Sequence, residues 1–200
     1  MLPLKDKTLA LLIQLPPSLK ITEGIENMRQ YLVHELDNSN FRYAVEVRDR
    51  SWFQDLAYNF FADNNICMAW SQLAELRTPP IATTDFLYLR FIGDRSINEN
   101  DFGKIQKDRV VEMKKWSNKL KRVIKEQQSG GGGARGRSVN LAIVSANNHY
   151  AGFGPETANT FRKMIGLPSI NWQDKKDDKV IQTDIATILS PDQRSLSDYL

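Results

Sequence analysis

The sequence predicts an α/β fold, a parallel sheet with helices packed on its outside. Three observations lead there. Apolar, strand-like runs alternate with amphipathic, helix-like runs along the chain. In Tyr43–Arg48, alternation places Val45 and Val47 on one side and Glu46 and Arg48 on the other. In Asp108–Gln127, Val110, Met113, Leu120, Val123 and Ile124 recur at helical spacing, with lysines and Arg122 around the rest.

Thr8–Leu15 reads as a buried strand, stopped by Pro16-Pro17 because proline cannot donate to a ladder. Gln14 is its one polar interruption near the end. Thr22–Leu36 reads as a helix with Ile25, Met28, Leu32 and Leu36 on its apolar face and Thr22 as its N-cap. The strand Tyr43–Arg48 follows, then a charged loop. Asp55–Asn65 is a helix with Leu56, Phe60 and Phe61 inward. Ile66–Trp70 is a short strand that ends at Ser71-Gln72, and Leu73–Thr84 is loop-like. Asp85–Gly93 is a strand with Leu87, Leu89 and Phe91 on one side and Tyr88 and Arg90 on the other. Val139–Ala146 is the fifth strand. Pro155 opens a helix over Glu156–Ile165, and Gly166 closes it.

Two hundred residues that are 41% hydrophobic support one core. The net charge of +3 hides an uneven distribution. Lys104–Arg137 carries eleven Lys/Arg against Asp108, Glu112 and Glu126, so this stretch is a candidate polyanion surface. A solvated helix face accounts for the same charges. The single cysteine, Cys67, sits in an apolar run, which excludes an internal disulfide and a cysteine-based zinc site. No apolar run reaches the roughly 18 residues of a membrane span, and Leu9–Leu15 is broken too early for a signal peptide. A cytoplasmic setting without membrane partners is the expectation. Ser129–Arg137, with its four consecutive glycines, reads as a flexible basic insertion; it lacks the Gly-Lys-Ser/Thr ending of a phosphate loop.

Right-handed crossovers put every strand's C-terminal end on one rim. Gln14, Asp49/Arg50/Ser51, Ser71, Asp94 and Asn147/Asn148/His149 should therefore converge. Glu46 and Arg48 point to the side away from the helices. Arg90 is a second inward cation, able to meet Glu46. Charges there are costly unless paired or put to use. A buried Glu-Arg lattice that fixes the fold and a functional site both remain open.

Four motifs in order carry a resemblance: Leu-Ile-Gln-Leu-Pro-Pro (12–17), Tyr-Ala-Val-Glu-Val-Arg-Asp-Arg-Ser-Trp-Phe (43–53), Leu-Tyr-Leu-Arg-Phe-Ile-Gly (87–93) and Asn-Asn-His-Tyr-Ala-Gly-Phe-Gly-Pro (147–155). Together they resemble the domain of unknown function 72 family, also called YecE-like, from about Leu9 to Leu167. The resemblance implies a TIM-type (β/α) barrel. A full barrel has eight strands and roughly 250 residues. Here five strands are read, and the family's opening Gly-Thr-Ser-Gly-Trp stretch is missing. The expectation is a barrel incomplete at the N-terminus over residues 1–168, with the insertion at 129–137 and a peripheral tail at 169–200. An incomplete barrel, a dimer completing its sheet in trans through an open edge, and a shortened variant are all compatible.

The resemblance implies a rim site of Glu46, Arg48, Arg50, Arg90, Asn147, Asn148 and His149. Three functions compete. A metal-dependent nuclease would hold Mg²⁺ or Mn²⁺ on Glu46, Asp49 and Asp94. His149 would then serve as acid or base, and Arg48 and Arg90 would stabilise negative charge. Gln14, Arg50, Asn147 and Asn148 would contact substrate, with Lys114, Lys115, Arg135 and Arg137 on the DNA backbone. An enzyme on a small sugar-like or phosphorylated ligand would use the same rim without the basic segment. A non-catalytic nucleic-acid-binding module would need neither metal nor acid-base geometry.

Overall fold

The computed structural model describes residues 2–93, 95–128 and 138–171. Sequence alternation builds it from short parallel strands and outer helices. The strands are β1 (Leu11–Gln14), β2 (Tyr43–Glu46), β3 (Ile66–Met68), β4 (Trp70–Leu73), β5 (Phe86–Gly93) and β6 (Leu141–Ala146). The helices are α1 (Ile21–Asn27), α2 (Asp55–Asp63), α3 (Val110–Gln128), α4 (Asn148–Ala151) and α5 (Gly154–Met164). All strand pairs are parallel, in two three-stranded sheets ordered β1-β2-β3 and β4-β5-β6. Within these described sheets, β1 and β6 are each paired on one side only.

The period of two along each strand sorts side chains into an outer and an inner set. On the outside of the first sheet, Val45, Val47, Ile66 and Met68 pack with Trp52, Phe60 and Phe61. The Trp52 and Phe61 rings stack at 5.7 Å. On the outside of the second, Trp70, Leu87, Leu89 and Phe91 pack with Met113, Trp116, Leu120 and Phe161. Each such side chain contributes about 1.5–3 kcal/mol on burial, so these two clusters carry most of the stability. The inner set is smaller: Ala44, Cys67 and Phe86, with Ala10, Leu12, Tyr88, Leu141 and Ile143 against them. Burial pushes the Cys67 thiol up to about 12, which leaves it an inert core group.

Several local expectations change. The strand expected over Ile66–Trp70 is divided at Ala69 and continues to Leu73. Threonine hydroxyls of the following loop explain the division. Thr83 Oγ1 accepts from Met68 N at 2.9 Å and donates to Ile66 O at 2.7 Å. Thr78 Oγ1 accepts from Ser71 N at 3.1 Å. These hydroxyls take ladder positions that a neighbouring strand would otherwise fill. The helix expected over Thr22–Leu36 is α-helical only to Asn27, then passes through a π turn and a 3-10 turn. Lys20, not Thr22, stands at its N-cap position, and Ser51 Oγ accepts from Ile21 N at 3.0 Å. Leu56 and Val110, expected inside, are 58% and 48% exposed; Ala57 and Met113 take the inward positions. The glycine-rich insertion expected at 129–137 and the part of the expected tail from Trp172 onward lie outside the described residues.

Thr83→Val keeps the shape of the side chain and removes its hydroxyl. It leaves a buried amide and a buried carbonyl unpaired, so urea unfolding should show a loss of about 2 kcal/mol. An unchanged midpoint would mean the hydroxyl does not substitute for a ladder bond.

Candidate functional site

The inner face changes character along the strands. Below it is apolar; at the strands' C-terminal ends it becomes polar. The register sets this up. Gln14 lies beside Glu46, and Arg90 lies between Ser71 on β4 and Ser145 on β6. Arg48, two residues beyond Glu46, returns to the same side.

Glu46 is fully buried and accepts two guanidiniums. Arg48 Nε donates to its Oε1 at 2.6 Å, and Arg90 Nη1 donates to Oε2 at 2.5 Å. β2 and β5 are not hydrogen-bonded neighbours, yet the length of Arg90 spans the gap. Gln14 Oε1 accepts from Arg48 Nη2 at 2.8 Å and from Arg90 Nη1 at 3.4 Å. The arginine side chains are 21% and 15% exposed. A single buried carboxylate would cost several kcal/mol, and the flanking cations offset that. Two cations on one anion leave the group at +1, with both guanidiniums reaching partial exposure. Ser71 Oγ is buried beside Arg90 and has no hydrogen-bond partner among the described residues.

The other predicted rim residues are held elsewhere. Asp49 pairs with Lys20 at 2.5 Å and accepts from Ser51 N at 2.9 Å. The hydrogen bond from Lys20, helped by Ser51, holds its carboxyl down to about 2. Arg50 donates to Glu75 O at 3.0 Å. Asn147 stands at the N-cap position of α4 with no side-chain cap, and its backbone N–H donates to Phe91 O at 2.8 Å. Asn148 Oδ1 accepts from Gly154 N at 2.8 Å, which ties α4 to α5. His149 faces the loop after β5: Nε2 is 3.6 Å from Glu99 Oε1, the ring meets Phe102 edge-on, and Nδ1 is buried without a partner. Lys114 and Lys115 are exposed on the outer surface of α3. Asp94, Arg135 and Arg137 lie outside the described residues. Among the described residues no three His, Cys, Asp or Glu side chains gather as a metal site. Glu46 and Asp49 sit in separate ion pairs.

Sequence reasoning missed a second polar group behind the rim. Gln72, next to Ser71 on β4, faces the opposite way and accepts from Trp116 Nε1 at 2.9 Å. It lines a cavity of about 90 Å³ with Gly93, Arg109, Glu112 and Tyr150. Arg109 Nε donates to Tyr150 O at 2.9 Å, and Arg77 Nη2 donates to Glu112 at 3.1 Å. Burial, and then the charge of Glu112, push the Tyr150 phenol well above its usual range. Gly93 has φ +93°, and a Cβ there would meet His149 O at 2.0 Å, so glycine is what lets α4 approach the end of β5. The spacing of these residues, up to 78 positions apart in sequence between Gln72 and Tyr150, carries no short-range signal.

Glu46→Gln removes the charge that both guanidiniums share and turns an amide N–H₂ toward one of them. Chemical denaturation should show a loss of about 3–5 kcal/mol. A loss below about 1 kcal/mol would place the pair in the class of weak surface ion pairs.

The model of a family described as "Protein of unknown function DUF72" matches residues 1–179. No curated protein matches the chain. Two solved structures share the fold. A DUF72 family protein from Enterococcus faecalis V583 is 19% identical with a TM-score of 0.57, over 79% of this chain and 61% of that one. A DUF72 family protein from Thermotoga maritima MSB8 is 23% identical with a TM-score of 0.53, over 77% of this chain and 56% of that one. The chain thus spans less than two thirds of the length of either. Among the described residues no helix is long and apolar enough to cross a membrane. With the four rim and strand motifs in place and the family model matched over most of its length, the chain belongs to the DUF72 family.

Proposed function

We propose that the strand-end rim binds the phosphoryl group of a small phosphorylated ligand. One observation carries this: the Glu46 and Gln14 oxygens at the rim are engaged by Arg48 and Arg90, and the further N–H groups of those two arginines are donors. Glu46 uses both carboxylate oxygens on Arg48 and Arg90, and Gln14 Oε1 takes N–H groups from the same two arginines. Each guanidinium has five N–H donors, and Glu46 and Gln14 use only part of each set. A donor-rich group of net charge +1 suits an oxyanion and disfavours a cation. A polyol, which needs acceptors as well as donors, fits less well. Fixed guanidiniums that need no reorganisation also favour charge that builds up on a phosphoryl group during transfer or hydrolysis. The reading of the fold as part of a TIM-type (β/α) barrel fits this placement, since such barrels bind phosphate at the strands' C-terminal face. It is supported by the all-parallel strands, the inner apolar cluster and the longer structural relatives.

The metal-dependent nuclease is the second reading, favoured by the exposed Lys114 and Lys115 and the local basic excess. Its proposed Mg²⁺ or Mn²⁺ does not fit Glu46 as the side chain stands, because a cation would have to displace Arg48 or Arg90 from the carboxylate.

Calorimetric titration with inorganic phosphate, glycerol phosphate and acetate separates the readings. The wild type should bind both phosphates, and Arg48→Gln and Arg90→Gln should each weaken that binding about tenfold or more while circular dichroism stays native. Absence of binding by folded wild type would overturn the proposal. Degradation of linear or circular DNA with Mg²⁺ or Mn²⁺, abolished by EDTA and by Glu46→Gln, would favour the nuclease. That activity should then fall steeply with salt.

A further inference from the structure

We propose that Ser71 and Ser145 are contact residues of the rim site, and that they select a tetrahedral phosphate over a planar carboxylate. The inference rests on the phosphate reading and deepens it. The two serines lie directly on either side of Arg90 in the parallel register, Ser71 on β4 and Ser145 on β6. Alternation fixes their direction. Trp70 and Leu89 face the outer cluster, so Ser71 and Arg90 face inward; Leu141 and Ile143 belong to the inner cluster, so Ser145 faces inward too.

The chemistry of Ser71 points to a ligand. Its residue is fully buried, and among the described residues Oγ has no hydrogen-bond partner. A buried hydroxyl without a partner bears the full loss of hydration, and alanine would fill the same position without it. Its cross-strand neighbour Arg90 is itself a donor, and the carboxylate nearby is taken by guanidiniums. Among the described residues the hydroxyl has no acceptor. An oxyanion seated against Arg90 would supply that acceptor. Ser145, partly exposed, offers a second hydroxyl from the other side.

The number of donors sets the selectivity. A carboxylate is planar, and one guanidinium satisfies it through two parallel bonds. A phosphate presents oxygens out of that plane, which two flanking hydroxyls can reach together with Arg48 and Arg90. Removing a hydroxyl should therefore weaken phosphate and leave acetate nearly unchanged.

The test compares wild type, Ser71→Ala and Ser145→Ala by calorimetry with inorganic phosphate and with acetate, and by thermal unfolding without ligand. Phosphate affinity should fall about tenfold in each variant, with acetate affinity the same within about twofold. Without ligand, Ser71→Ala should melt about 2–4 °C higher, because the unpaired hydroxyl is gone. Phosphate binding by Ser71→Ala at wild-type strength would overturn the inference. So would a lower melting temperature combined with equal weakening of both anions, which marks a structural role. If wild type binds phosphate and Arg90→Gln loses it while Ser71→Ala does not, only this inference fails. If wild type binds no phosphate, the rim reading fails with it.

Discussion

The polar end of the inner face is organised by one buried carboxylate. Glu46 sits where the inner face turns from apolar to polar, and Arg48 and Arg90 close on it and offset the cost of burying its charge. That pairing links the two sheets without a shared ladder. Arg48 comes from the end of β2, Arg90 from β5, and Gln14 on β1 accepts from both. The same contacts hold the arginines in place before any ligand arrives. On the phosphate reading we propose, stability and recognition would share these atoms, since Arg48 and Arg90 remain 21% and 15% exposed.

Around this group the strands act as two-sided dividers. Trp70 packs against Trp116 on the outside, while the next residue, Ser71, stands unpaired on the inside. Gln72 then returns to the outside and meets Trp116. The outer clusters supply apolar burial, which frees the upper inner layer to hold groups that do not maximise stability. Small and polar residues at Ser71 and Ser145 are hard to explain by packing and easy to explain by an occupant of the rim.

Much of this was legible in the sequence, and the reasons for success and failure are local. Alternation in Tyr43–Arg48 and Asp85–Gly93 placed Glu46, Arg48 and Arg90 on one side, because a period of two holds within any strand. The family resemblance carried by four motifs agrees with the family match. The break at Ala69 was not legible, since it depends on Thr78 and Thr83 reaching back from a loop. Nor was the direction of His149. Topology brings strand ends to one rim, but α4 turns this ring toward Glu99 and Phe102 instead of Glu46. Leu56 and Val110 show the limit of helical spacing at a first turn, where an apolar residue can stand in solvent. That the Ser71 hydroxyl lacks a partner among the described residues shows only in three dimensions.

The most direct measurement is the anomalous density of crystals grown with tungstate, a heavy tetrahedral analogue of phosphate. The account predicts one tungstate between the Arg48 and Arg90 guanidiniums and against Ser71, with Glu46 still paired to both arginines. Tungstate bound only elsewhere, such as along the lysines of α3, with the rim clear, would contradict it.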